Sequence, residues 1–174
     1  QLKRRAARMA ASTASSEERA TATFVWCYSI LLIVVAGSFF RLQQGFDEDA
    51  DDEMARFFHG DIAQSVLKAC TQSGGILLFV AARLKGYLPS KTRSKQTEAR
   101  HASLARLLML CLGLGFLWRG VKIYGLASTE HETAAAGLML FLGLLALLLS
   151  QIAAYLKMKG KDAAVPDTRL PKKN

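Results

Sequence analysis

Among the cations within otherwise apolar stretches, three stand out as needing a partner. Arg119 and Lys122 flank Gly120 in LWRGVKIYG, directly after the apolar run LLMLCLGLGF, and Lys68 interrupts IAQSVLKACTQSGGILLFVAA. A charge in hydrocarbon is expensive. Such a residue carries its head group to the lipid surface, pairs with a carboxylate, or binds a lipid phosphate. For Arg119 the partners on offer are the outer head groups, the acidic segment 47–53, Glu130 and Glu132, and a phospholipid such as cardiolipin held between subunits. Arg119, Lys122 and Lys68 are thus the candidate lipid or ion-pair residues.

Other reactive types are placed less suggestively. Haem held between membrane helices needs His side chains facing each other from two spans, whereas His59, His101 and His131 fall in loops or at interfaces. Cys27, Cys70 and Cys111 show no CxxC spacing and no His at metal-ligand distance, and they read as small packing residues. HExxH, GxSxG and paired carboxylates within the apolar runs are all absent. His59 would be the one base within reach of a lipid-modifying reaction. Pro89, Pro166 and Pro171 lie outside the apolar runs, which leaves Gly74–Gly75 as a candidate helix break of the kind transporters use. The expectation is a protein that is not an enzyme, with no catalytic residue, no metal and no cofactor beyond a bound phospholipid.

Placing these residues requires knowing how the chain is threaded. It is 51% hydrophobic and 21% charged, yet the two kinds of residue are segregated into alternating blocks. That layout belongs to a polytopic membrane protein. The net charge of +9 raises nucleic acid as a partner, but the basic residues flank apolar runs instead of lining one surface. No nucleic-acid partner is expected.

The apolar runs predict four transmembrane helices, at residues 23–41, 62–84, 103–127 and 133–157. The second contains Lys68, Gln64, Gln72 and the glycine pair, so by itself it also reads as a buried or re-entrant segment. Charge bias argues that it crosses. Lys and Arg number five in 1–22, six in 83–103 and six in 157–174, while segments 41–61 and 119–132 hold only Arg41, Arg56, Arg119 and Lys122. The positive-inside rule puts the three basic stations on one side, with an even number of crossings between each. Both termini then face the inner side. The basic N-terminal segment 1–22, the inner loop 85–102 and the tail 158–174 share that side, and the short loop 128–132 is outer.

The acidic outer loop, 42–61, carries Met54, Phe57 and Phe58, and with Ile62 and Val66 these form one apolar stripe at helical spacing. A short amphipathic helix in the outer interface, after the carboxylates and before the second span, is the expected form. The bland reading is a loop leading straight into a span that begins early. Small residues at helical intervals mark faces where helices approach closely. Gly143, Ala146, Ser150 and Ala154 do so in the fourth span, and Ser65, Ala69 and Ser73 in the second. Gly113 and Gly115 thin the third.

Function is less legible than threading. Missing catalytic groups, small-residue faces and polar termini fit an accessory or structural subunit of a membrane complex, a hetero-oligomer with other membrane subunits and lipids as partners. QLKRRAARMAAS resembles the end of a mitochondrial or plastid transit peptide, though Glu17 and Glu18 count against this; it also reads as a basic flank before a signal anchor. The mitochondrial inner membrane is the expected site, and a respiratory or ATP-synthase complex the expected assembly. An endoplasmic reticulum or thylakoid membrane obeys the same charge rule. The competing function is a small transporter or channel subunit, with Ser65, Gln72, Ser73, Ser150 and Gln151 lining a polar path.

Overall fold

The computed structural model describes residues 2–46, 53–85 and 95–162, with side chains over 19–46, 53–85 and 100–156. These residues form five helices: α1 (Leu2–Gly45), α2 (Glu53–His59), α3 (Asp61–Lys85), α4 (Lys95–Tyr124) and α5 (Glu130–Asp162). The fold is all-α. Four helices are long and apolar enough to cross a membrane, over Arg19–Gly45, Asp61–Lys85, Arg100–Tyr124 and Glu130–Leu156. The shortest has 25 residues, which is about 37 Å at 1.5 Å per residue and exceeds a hydrocarbon core of about 30 Å. The chain is an integral membrane protein.

Several details depart from what the sequence suggests. Gly74–Gly75 does not break α3, which runs without interruption from Asp61 to Lys85. The reason is tertiary. A Cβ on Gly74 would meet Ile33 Cγ1 at 3.0 Å and Leu32 Cβ at 3.3 Å, so the glycine admits α1 instead of ending the helix. The apolar stripe beginning at Met54 is split, because the chain bends at Gly60 between α2 and α3. There the Gly60 amide donates to the Phe57 carbonyl at 3.1 Å, and a Cβ would lie 3.0 Å from the Arg56 oxygen. α4 ends at Tyr124 instead of Ala127, closed by the Gly125 amide on Val121 O and the Leu126 amide on Ile123 O, both at 3.0 Å.

Two antiparallel helix pairs build the molecule. α1 lies along α3, and α4 lies along α5, with fewer contacts between the pairs. In the α4–α5 pair, advancing along α5 means stepping back along α4. Gly120 lies against Leu140, Gly113 and Leu117 against Gly143, and the Ser150 hydroxyl donates to the Arg106 carbonyl at 3.3 Å. Glycine makes this approach possible because no side chain separates the two backbones.

One end of the bundle is tied by rings. Phe58 of α2 stacks on Phe46 at 5.4 Å between centroids and meets Phe39 and Phe57 edge-on at 5.7 and 5.1 Å. Phe57 continues the contact to His131 at the start of α5, 5.9 Å away. Elsewhere on the α1–α3 pair, Lys85 Nζ lies 4.8 Å above the Trp26 ring, a cation–π contact joining the last turn of α3 to α1.

The core is a seam of aliphatic and small residues, including Leu32, Val66, Cys70, Leu77, Ala136 and Ala146, each with no accessible surface. Large apolar side chains such as Phe79, Phe141, Leu144 and Leu148 point outward. That inside-out distribution suits a lipid solvent, which makes no demand for a polar exterior.

Two buried hydroxyls of α1 bond to backbone, whereas the buried Thr21 hydroxyl has no hydrogen-bond partner among the described residues. Ser29 donates to the Trp26 carbonyl at 2.7 Å, and Tyr28 donates to the Leu142 carbonyl at 2.8 Å, which bridges α1 to α5. Tyr28→Phe should lower stability by about 1 kcal/mol, because Leu142 O keeps a helical donor when the phenol is lost. A denaturation midpoint measured in mild detergent gives this value. A change of several kcal/mol would mean that the phenol organises more than one contact.

Candidate functional site: a cleft ending at Arg119

The looser seam between α3 and α4 opens into a cleft of about 180 Å³. Its α3 wall is Ala69, Gln72 and Ser73, and its α4 wall includes Leu112, Phe116 and Arg119. The space exists because the facing positions are small. Ala69 and Ser73 are buried on α3, and Gly115 of α4 has nothing within 4 Å of where a Cβ would stand. Gly113, two residues away on the same helix, instead lies against the Gly143 carbonyl. The two glycines that thin this helix therefore serve opposite ends, one closing the α5 contact and the other opening the cleft.

Polar groups are few among the lining residues. Gln72 supplies an amide, Ser73 a hydroxyl and Arg119 a guanidinium with five N–H donors. Leu112, Phe116 and Ala69 supply apolar surface. Arg119 is five residues from the end of α4, roughly 8 Å along the helix axis. Lys122 is exposed nearer that end, and Lys68 is exposed on α3 immediately before Ala69. Tertiary structure thus brings Arg119 to the face of α3 that bears Ala69 and Ser73, a proximity invisible along the chain.

Among the described residues, no carboxylate forms an ion pair with Arg119, Lys122 or Lys68. Glu132, one of the partners the sequence offers, is engaged elsewhere. Its Oε2 accepts from the Ser128 amide at 2.7 Å, the Ser128 hydroxyl at 3.0 Å and the Thr129 amide at 3.3 Å, while Thr129 Oγ1 accepts the Glu132 amide at 3.3 Å. This is a capping box at the start of α5. The pattern Thr129-x-x-Glu132 signals it in the sequence, within the segment 128–132 expected as a short outer loop. The acidic residues 47–52 lie outside the described residues, as do inner-loop residues 86–94 and tail residues 163–174.

The packing residues expected from spacing fall as follows. Gly143, Ala146 and Ser150 are buried and Ala154 is half-buried; Ala69 and Ser73 are buried and Ser65 is half-buried. Gly74 and Gly120 take part in close helix contacts and are not picked out by spacing alone, since neither belongs to a four-residue series of small residues. Of the five polar residues considered for a path, Gln72 and Ser73 line the cleft, while Ser150 bonds across the α4–α5 pair. His59 Nε2 lies 3.4 Å from the Phe46 carbonyl oxygen, within the aromatic end of the bundle. Cys70 is buried, Cys27 and Cys111 are exposed, and no cluster of His, Cys, Asp and Glu suited to a metal occurs among the described residues. No protein-family model, curated protein or solved structure matches this chain.

Proposed function

We propose that this protein is a non-catalytic accessory subunit of a larger membrane complex, of the energy-transducing kind found in the mitochondrial inner membrane, such as a respiratory or ATP-synthase assembly. The observation that carries the reading is a set of glycines facing outward. Gly37 of α1, Gly75 of α3 and Gly137 of α5 are exposed within the spans, with nothing within 4 Å of a Cβ position. In lipid, helices associate through close approach at small residues, so outward glycines supply what a neighbouring subunit's helix needs. The Arg- and Ala-rich start and the three basic stations support an inner-membrane location, with both termini on the positive side and α2 at the opposite interface.

Gly75→Leu and Gly137→Leu test the reading. Each fills open space, so helical content should not change, and the variants should drop out of the large species seen on a native gel in mild detergent. If the unaltered protein migrates as a small free species from its own membrane, the subunit reading fails. A small transporter or channel subunit, or a subunit of an endoplasmic reticulum complex, is the alternative, and the Gln72–Ser73 wall of the cleft favours the transport version. Flux in proteoliposomes holding only this chain separates that reading from the first.

A further inference from the structure

We propose that the α3–α4 cleft is a binding site for an anionic phospholipid, its phosphate on Arg119 and one acyl chain lying along Leu112 and Phe116. The charge calls for it. Arg119 is exposed on the lipid-length span of α4 with no carboxylate partner among the described residues, and a cation at that depth requires a counter-charge or a route to the head groups. The shape fits the ligand as well. Ala69, Leu112 and Phe116 line the same cleft as Arg119 with apolar surface, and Gln72 and Ser73 add donors to its lining that phosphate or glycerol oxygens can use. A guanidinium binds phosphate oxygens with two parallel N–H bonds, and an anionic lipid offers that phosphate without the ammonium group that accompanies it in a zwitterionic head group. Lys122 and Lys68, both exposed near the same end of the α3–α4 seam, add to the positive field there. A free phosphate ion would gain the charge contact but leave the apolar walls uncovered. The inference rests on the membrane-embedded fold and not on the subunit reading, so either can fail without the other.

The chain carries its own reporter, since Trp118 is exposed beside Arg119 and the only other tryptophan is Trp26. The full chain with Trp26→Phe is reconstituted in phosphatidylcholine vesicles containing either brominated-chain cardiolipin or brominated-chain phosphatidylcholine at equal bromine content. Trp118 should be quenched preferentially by the anionic lipid, with an apparent affinity about fivefold higher for the cation at stake. Arg119→Gln should erase the preference, and Arg119→Lys should keep part of it. Equal quenching by both lipids in the parent protein overturns the proposal even if Arg119→Gln does not insert. A preference that survives Arg119→Gln also overturns it. So does a preference that appears only after the carboxylates of 47–53 are replaced by amides, because Arg119 would then belong to that segment.

Discussion

Replacing Gly143 by leucine is expected to part α4 from α5 and to lower the stability of the protein by about 3 kcal/mol or more. A Cβ at this position would stand 2.8 Å from Leu117 Cγ and 2.9 Å from both the Leu117 nitrogen and the Gly113 oxygen. Two of those three atoms belong to the backbone of the facing helix and cannot rotate aside. Even Gly143→Ala should cost roughly 1–2 kcal/mol, because one methyl group already forces the helices apart. Gly137→Leu on the same helix meets open space and serves as the control. Unfolding of the three proteins in the same mild detergent measures the series. If Gly143→Leu matches the control, the α4–α5 pair does not depend on glycine contact.

Phe58→Ala should have an effect of similar size with a different character. Phe58 is buried at 8% exposure although it lies on a helix of seven residues, too short to be stable alone. Its ring touches Phe39, Phe46 and Phe57, so truncation removes the contact that holds α2 to the end of α1. The expected loss is about 3 kcal/mol, at the low end for a buried phenylalanine because the site is near the end of the bundle. Hydrogen exchange should show the loss as fast exchange over residues 53–59 with α3 and α5 still protected. Uniform loosening of all the helices would mean that the aromatic end is part of the global core and not a local clasp.

Both substitutions act at points where two segments of chain meet, and this marks what the sequence could and could not reveal. Apolar runs and basic stations are properties of the chain itself. A run of 24 uncharged residues from 133 to 156 has few alternatives to a helix of membrane length, because backbone amides in hydrocarbon must bond within their own segment. The same requirement explains α3. Its composition is mixed and its middle holds two glycines, yet a helix of 25 residues is the form that satisfies its backbone. Spacing also picks out Gly143, Ala146 and Ser150, because small residues at helical intervals are visible in one strand of text.

The facing partner of each small residue is not visible in the same way. Gly74 looks like a break until Ile33 lies against it, and Gly113 and Gly115 look equivalent until one meets Gly143 and the other faces the cleft. The bend at Gly60 depends on α2 turning its phenylalanines onto α1, which cuts a stripe that is continuous in the sequence. The cleft, too, is a relation between helices. Gln72 and Arg119 are 47 positions apart, and only the packing of α3 beside α4 brings them to facing walls of one cleft. Segregated hydrophobicity and charge therefore set how many helices can cross the bilayer, since those terms add along the chain. Interhelical contact decides which glycine closes a seam and which leaves it open, because that energy depends on atoms from two places at once.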